Sequence, residues 1–192
     1  MEKRDLTDRL HAAEATGAVF FGDEMRLGIM GQTRRVWAPA GFEVVQQKQI
    51  GYQYEYLNLA VNPMTGELKW DWTSDMKSAS LSAVVESWQE DVEALVWDGA
   101  PGHRGSAYDE VEVERIQQPP YSPELQPAER IFEYVRSKVE GIIYGQVESK
   151  KAAVKQVLRG LAACRERVKR LVGWSWIKKS ITEARLLNTP LL

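Results

Sequence analysis

Three carboxylates occupy positions that ordinary packing does not explain. Asp23 falls within residues 18–30, where the odd positions are Val19, Phe21, Asp23, Met25, Leu27 and Ile29. Strand alternation puts these six on one face, and all but the aspartate are large and apolar. A carboxylate on a buried face is costly unless an ion pair or a metal compensates it. A salt bridge to a lysine or arginine is therefore the plain alternative for Asp23. Glu24 alternates to the other face with Arg26 and reads as a solvent-side pair. Asp98 ends the apolar run 92–97 and precedes Gly99-Ala100-Pro101-Gly102-His103. Small residues there leave it accessible, although an Asp-Gly turn alone would look the same. Glu129 lies in the first turn of a helix opened by Pro127, where the helix dipole favours an acid in any case. Glu124 and Glu133 are competing acids nearby. If the three converge at one sheet edge, they could hold two divalent cations ~4 Å apart, the arrangement that stabilises attacking and leaving oxygens in phosphoryl transfer. Magnesium suits such hard, anionic oxygen ligands.

The elements that must position these acids follow from hydrophobic period and turn chemistry. Residues 6–15 read as a short helix ended by Gly17. Residues 18–30, 33–37 and 53–61 read as strands. The turn Asn62-Pro63-Met64-Thr65-Gly66 leads into a returning strand at 67–72. These segments run in series, which predicts an antiparallel meander. The period then changes: Leu81, Val84, Val85 and Trp88 share one helical face. Residues 92–97 and 111–117 read as further strands. Pro119-Pro120-Tyr121-Ser122-Pro123 is a stiff connector, since each proline fixes its own φ and restricts its neighbour. Ile131, Phe132, Val135 and Val139 form the inner face of the helix after Pro127, and a long helical segment spans residues 149–171. One α/β domain over residues 1–192 is the simplest organisation, with a mixed sheet and helices packed on it.

Composition narrows the chemistry. A single cysteine, Cys164, rules out an intramolecular disulfide and a thiolate zinc site, and His11 and His103 alone leave a histidine-built centre short of ligands. No apolar run is long enough to span a bilayer, and the charged start Met1-Glu2-Lys3-Arg4-Asp5 does not resemble a signal peptide. A cytoplasmic protein without a membrane partner is expected. The net charge of −2 hides an asymmetry. Residues 150–179 carry ten Lys and Arg against one acid, Glu166, a net of +9, whereas residues 1–149 carry 14 basic and 25 acidic residues, a net of −11. Lys151, Lys155 and Arg159 form one helical stripe and Val154, Val157, Leu158 and Leu161 another. This predicts a docked helix, within a basic segment at about residues 149–180, whose outer face is either a DNA-binding surface or a solvated one. Trp174 and Trp176 flank this segment, and burial against the sheet is expected for them ahead of stacking on a base.

The stretches Phe21-Gly22-Asp23-Glu24, Val96-Trp97-Asp98-Gly99-Ala100-Pro101-Gly102-His103 and Pro119-Pro120-Tyr121-Ser122-Pro123-Glu124-Leu125-Gln126-Pro127-Ala128-Glu129-Arg130 resemble the catalytic domain of bacterial insertion-sequence transposases, of the mariner-like DDE superfamily. The resemblance covers roughly residues 19–139. It implies an RNase H-like fold with a five-stranded mixed sheet, an antiparallel meander joined to parallel strands. It also implies Asp23, Asp98 and Glu129 as catalytic acids and metal ligands, two Mg2+ ions that Mn2+ could replace, and DNA strand cleavage followed by strand transfer. DNA, as element ends and target, is the implied partner, which would associate the protein with the nucleoid. His103, Arg104, Arg130, Lys151, Lys155 and Arg159 are the candidate DNA contacts, with Arg136 and Lys138 near the site; for His103 a structural hydrogen bond that closes the loop is an equal alternative. A homodimer and a separate helix-turn-helix subunit or reading frame are further possible partners. The sequence departs from the family at Gly99, where asparagine is usual, and in the 30 residues between Asp98 and Glu129, a few short of the usual span. The shortfall squeezes the helix after His103 into residues 106–111. The family's helix-turn-helix units are absent ahead of residue 18, as in a split frame, a truncated copy or a fragment. An RNase H-like nuclease without strand transfer, and an inactive relic that only binds DNA or dimerises, are the competing readings.

Overall fold

The strand carrying Asp23 lies at the centre of the sheet. A computed structural model of the chain describes residues 2–13, 18–31, 37–45, 47–120 and 122–188. Strands β1 (Val19–Gly28), β2 (Tyr54–Val61), β3 (Leu68–Thr73), β4 (Ala94–Trp97) and β5 (Glu114–Gln117) form one sheet in the order β3-β2-β1-β4-β5. β1, β2 and β3 pair antiparallel, while β1 with β4 and β4 with β5 pair parallel. The expected meander joined to parallel strands is thus what the chain forms. The β2–β3 turn closes as its residues dictate. Asn62 Oδ1 accepts from the backbone N–H of Met64 at 2.9 Å and of Thr65 at 3.1 Å, and Gly66 takes φ +75°, which only glycine adopts without strain. The expected strand at 33–37 falls largely on residues outside those described.

Helices cover both faces. On one lie α1 (Glu2–Ala12), α3 (Ala128–Val139), α4 (Val147–Ala162), α5 (Arg165–Val172) and α6 (Ser175–Asn188), packed over Val19, Phe21, Met25, Leu57, Leu59, Ala94 and Val96. On the other lies α2 (Ser78–Glu86), with Leu81, Val84 and Val85 against Phe20, Leu95 and Trp97. The apolar face expected for α3 is the one it buries: Ile131, Phe132, Val135 and Val139 are each at most 1% exposed. Each such side chain contributes about 1.5–3 kcal/mol when fully buried. This burial presses α3 onto β1 and β2.

Two expectations are corrected. The first helix runs from Glu2 to Ala12, four residues earlier than its apolar pattern implied. The long C-terminal segment is two helices, interrupted at Ala163 and Cys164. Unbroken, residues 147–172 would extend about 39 Å, past a ten-residue β1 of about 33 Å. The break folds Val168 and Val172 back onto the core, and both are fully buried. The β2–β3 turn fits against this junction, and Glu67 pairs with Arg165 at 3.4 Å. Among the described residues, no helix is long and apolar enough to cross a membrane.

Candidate active site

Register brings the first two acids together. In the parallel pair β1–β4, Phe21 lies opposite Val96, so two residues on, at the carboxyl end of β4, Asp98 comes beside Asp23. Both alternate to the face that α3 covers, and Glu129 lies in the first turn of α3. Asp23, Asp98 and Glu129 line one open cavity of about 480 Å³, together with Arg104, Gln118 and Gln126. The third acid is brought in by a buried glutamine. Gln126 Nε2 donates to the Gly22 carbonyl at 2.7 Å and to Gln118 Oε1 at 3.4 Å, while its own Oε1 accepts from the Ala128 N–H at 3.3 Å. One side chain thereby ties β1, the proline-rich connector and the start of α3. Gln118 donates in turn to the Ser122 carbonyl, and its N–H donates to the Trp97 carbonyl at 2.7 Å.

The three acids are in unlike environments. Asp23 is the least solvated, and its pKa is raised to about 7. Burial is the main cause, with the charges of Glu24, Glu129 and Asp98 adding to it and a 2.8 Å hydrogen bond from the Glu24 N–H opposing it. Asp98 is open to solvent and its pKa is lowered, first by its hydrogen bond with His103. Its Oδ1 also accepts from the Ala100 N–H at 3.0 Å. Glu129 is half-exposed, with Arg136 at 3.9 Å. Among the described residues, no three His, Cys, Asp or Glu side chains approach closely enough to make a metal cluster. The acids share a cavity without meeting at one point.

Beneath Asp98 is a buried pair, Glu24 and His103, of which Glu24 had been expected in solvent with Arg26. Glu24 is on the face opposite Asp23, as alternation requires, but α2 and the loop after β4 enclose it. The Glu24 and His103 side chains are only 5% and 4% exposed and approach to 3.2 Å. His103 Nδ1 lies 2.8 Å from Asp98 Oδ1, and its ring stacks on Trp97 at 3.7 Å between centroids. Burial alone would lower the pKa of His103. The hydrogen bonds to Asp98 and Glu24 outweigh it and raise the pKa to about 9. His103 is therefore a buried cation linking the loop carrying Asp98 to β1. Gln126 was not singled out from the sequence, and Glu24 was assigned there to solvent. Gln126, between an apolar residue and a proline, was the more legible signal.

The remaining candidates are spread over the surface. Arg104 borders the acid cavity. Arg130 pairs with Glu133 at 2.8 Å. On α4, Lys151 is tied to Glu55 and lies over the Trp72 ring at 4.9 Å, Lys155 is half-buried and Arg159 is exposed. The shortened stretch after His103 forms a single 3-10 turn, Ser106–Tyr108, inside the expected 106–111.

With strand order, layers and acid cavity in place, the class is defined: this is an RNase H-like α/β domain. Among solved structures it is similar to the Mos1 transposase. The paired-end complex with the left transposon end matches with a TM-score of 0.63 at 14% identity, covering 96% of this chain and 62% of that one. The Mos1 strand transfer complex matches with 0.63 at 13%, covering 100% and 64%. The Mos1 transposase catalytic domain with Raltegravir and Mg matches with 0.55 at 12%, covering 100% and 96%. At these identities the likeness is one of fold, and the chain spans less than two thirds of the longer Mos1 chains. No protein-family model and no curated protein matches the sequence.

Proposed function

We propose that this chain is a DDE transposase catalytic domain of the mariner-like superfamily, from a bacterial insertion sequence, that cuts a DNA strand and transfers it. The observation that carries this reading is the shared cavity of Asp23, Asp98 and Glu129 at the carboxyl end of β4, in a fold like that of the Mos1 catalytic domain. The residues suit a divalent cation in kind. All three donors are carboxylate oxygens, and burial, with the charges of Glu24, Glu129 and Asp98 adding to it, holds the proton of Asp23 up to about pH 7, a cost that a bound cation would relieve. Asp23, Asp98 and Glu129 would hold Mg2+, with Mn2+ able to replace it. The Mos1 structures include one with Mn and others with Mg. When bound, two such ions stabilise the attacking and leaving oxygens of an in-line displacement at phosphorus.

The protein's own residues do the rest by positioning. Gln126 fixes the start of α3 against β1, and His103 holds Asp98 in its ionised form. Arg104, beside Asp98, is placed to meet a phosphate oxygen. The test uses the full chain, duplex DNA flanking its coding frame and a supercoiled target plasmid. Mg2+-dependent nicking and joined products are expected, and Asp23→Asn and Asp98→Asn should reduce both to background with the circular dichroism spectrum unchanged. Nicks without joined products would favour the plain nuclease, and binding without either would favour the inactive relic.

A further inference from the structure

The acid cavity does not end at Glu129. A second cavity, of about 450 Å³, shares Glu129 and Gln126 with it and is walled by Trp174 and Trp176, with Glu124, Arg130 and Glu133 around the rim. The two indoles stack on each other at 5.8 Å between centroids and 30° between planes. Both pack partly against the core, yet both line the open space. Trp174 also lies beneath the Arg130 guanidinium, 5.7 Å from its ring centre.

The chemistry of this cavity excludes a phosphate and suits a base. Three carboxylates, Glu124, Glu129 and Glu133, face one arginine, and that arginine is already paired with Glu133. A phosphodiester would be repelled. A flat, uncharged ring would gain stacking on the indoles, and its amino groups would find carboxylate acceptors. On the far side of Asp98, Arg104 and Arg115 line a cavity of about 680 Å³ beside Asp98, Asp109 and Glu114, and Arg104 also borders the acid cavity. A strand running from the arginines past the acids would therefore bring a nucleotide to the tryptophans. Duplex bases are stacked inside the helix, so only an unpaired one can enter.

We propose that Trp174 and Trp176 form a subsite for an unpaired nucleobase, next to the carboxylates that act on the strand. This rests on the transposase reading, but its test does not use cleavage. The probes are a short deoxyadenosine single strand and a strand of equal length and charge made of abasic tetrahydrofuran residues. The full chain should bind the first roughly 5- to 150-fold more tightly, the range expected for one base stacked on an aromatic platform. Trp174→Leu and Trp176→Leu keep apolar bulk against the core but remove the aromatic face, and should collapse this ratio towards one. Trp174→Phe and Trp176→Phe should keep most of it. A ratio near one in the unaltered protein overturns the subsite, and so does a ratio that survives both leucine changes. If one leucine variant fails to fold, a ratio near one in the unaltered protein still overturns the subsite, and the other leucine variant still tests its location. If the strands are distinguished as expected but no metal-dependent cleavage is found, the subsite stands and the transposase reading falls. If cleavage is found but the strands bind alike, the reverse holds.

Discussion

At the scale of single residues, Asp23 and His103 both hold a proton to unusually high pH, Asp23 chiefly because it is buried and His103 because Asp98 and Glu24 accept its hydrogen bonds. Asp23 in the folded protein titrates near 7, against 3.8 when unperturbed. Between those values the folded state binds the extra proton, so its contribution to metal-free stability is intact below about pH 4 and lost as the pH rises towards 7. The loss can reach about 1.4 kcal/mol per pH unit. Asp23→Asn has no proton to lose. Relative to the unaltered protein it should gain stability from pH 4 to pH 8 in chelator, and Mg2+ should cancel that advantage at pH 8. Denaturant unfolding at the two pH values, with and without Mg2+, measures this, and an advantage independent of pH would refute it. His103 is the cation that makes the acid cluster tolerable. Removing one partner of a buried pair strands the other, at about 3–5 kcal/mol. His103→Ala should cost about this much, and Glu24→Ala combined with it should cost clearly less than the two singles added. Additive losses in the double-mutant cycle would mean that the 3.2 Å approach carries no coupling.

At the scale of elements, the acids are placed by close backbone contacts as much as by strands. The loop after β4 fits against the segment leading into α2. A Cβ on Gly102 would lie 2.4 Å from the Met76 carbonyl oxygen, and neither backbone can yield without moving Asp98 or α2. Gly102→Ala should therefore cost about 1–3 kcal/mol, the range for overpacking, read as a lower denaturant midpoint. A midpoint unchanged from that of the unaltered protein would show that the loop yields freely. Gly99 behaves differently. A Cβ there meets the ends of the Gln117 and Arg104 side chains, at 2.5 and 2.8 Å. These can swing away, so glycine at this position reflects what fills the space and is not a backbone requirement. Much of this was legible beforehand. The alternation around Asp23, the apolar run ending at Asp98 and the inner face after Pro127 each announced an element and a side. Solvation was not legible. Glu24 had the correct face but the wrong neighbour, because α2 and His103 reach it from 54 or more residues away in the chain. The break at Cys164 was hidden for the opposite reason. Leu158, Leu161, Val168 and Val172 keep one helical stripe across it, so period alone predicts a single helix.

At the scale of the molecule, charge is sorted along the chain, and the fold decides how much of that sorting reaches the surface. Of the basic residues in the C-terminal segment, Lys150 is buried against Glu140 and the Gly28 carbonyl, each at 2.9 Å. Lys151 is tied to Glu55 and Arg165 to Glu67. The net of +9 read from the sequence is thus partly neutralised by the acidic body it packs on. The pairs of Lys151 and Arg165 are half-buried or at the surface, so each is worth little to stability, but all three pairs lower the charge offered to a DNA backbone. Arg159 is exposed at the end of α4 and Lys155 lies one turn before it on the same stripe. We predict that Lys155→Ala together with Arg159→Ala makes the dependence of log affinity on log salt shallower by about 1–2 units for duplex DNA, since each phosphate neutralised contributes about 0.9. Adding Lys151→Ala should change the slope by much less than another 0.9, because that ammonium already has a carboxylate partner. Filter binding or fluorescence anisotropy across a salt series would measure both changes. A slope unaltered by the pair would assign α4 to solvent and leave Arg104 and Arg115, beside Asp98, as the approach for the phosphates.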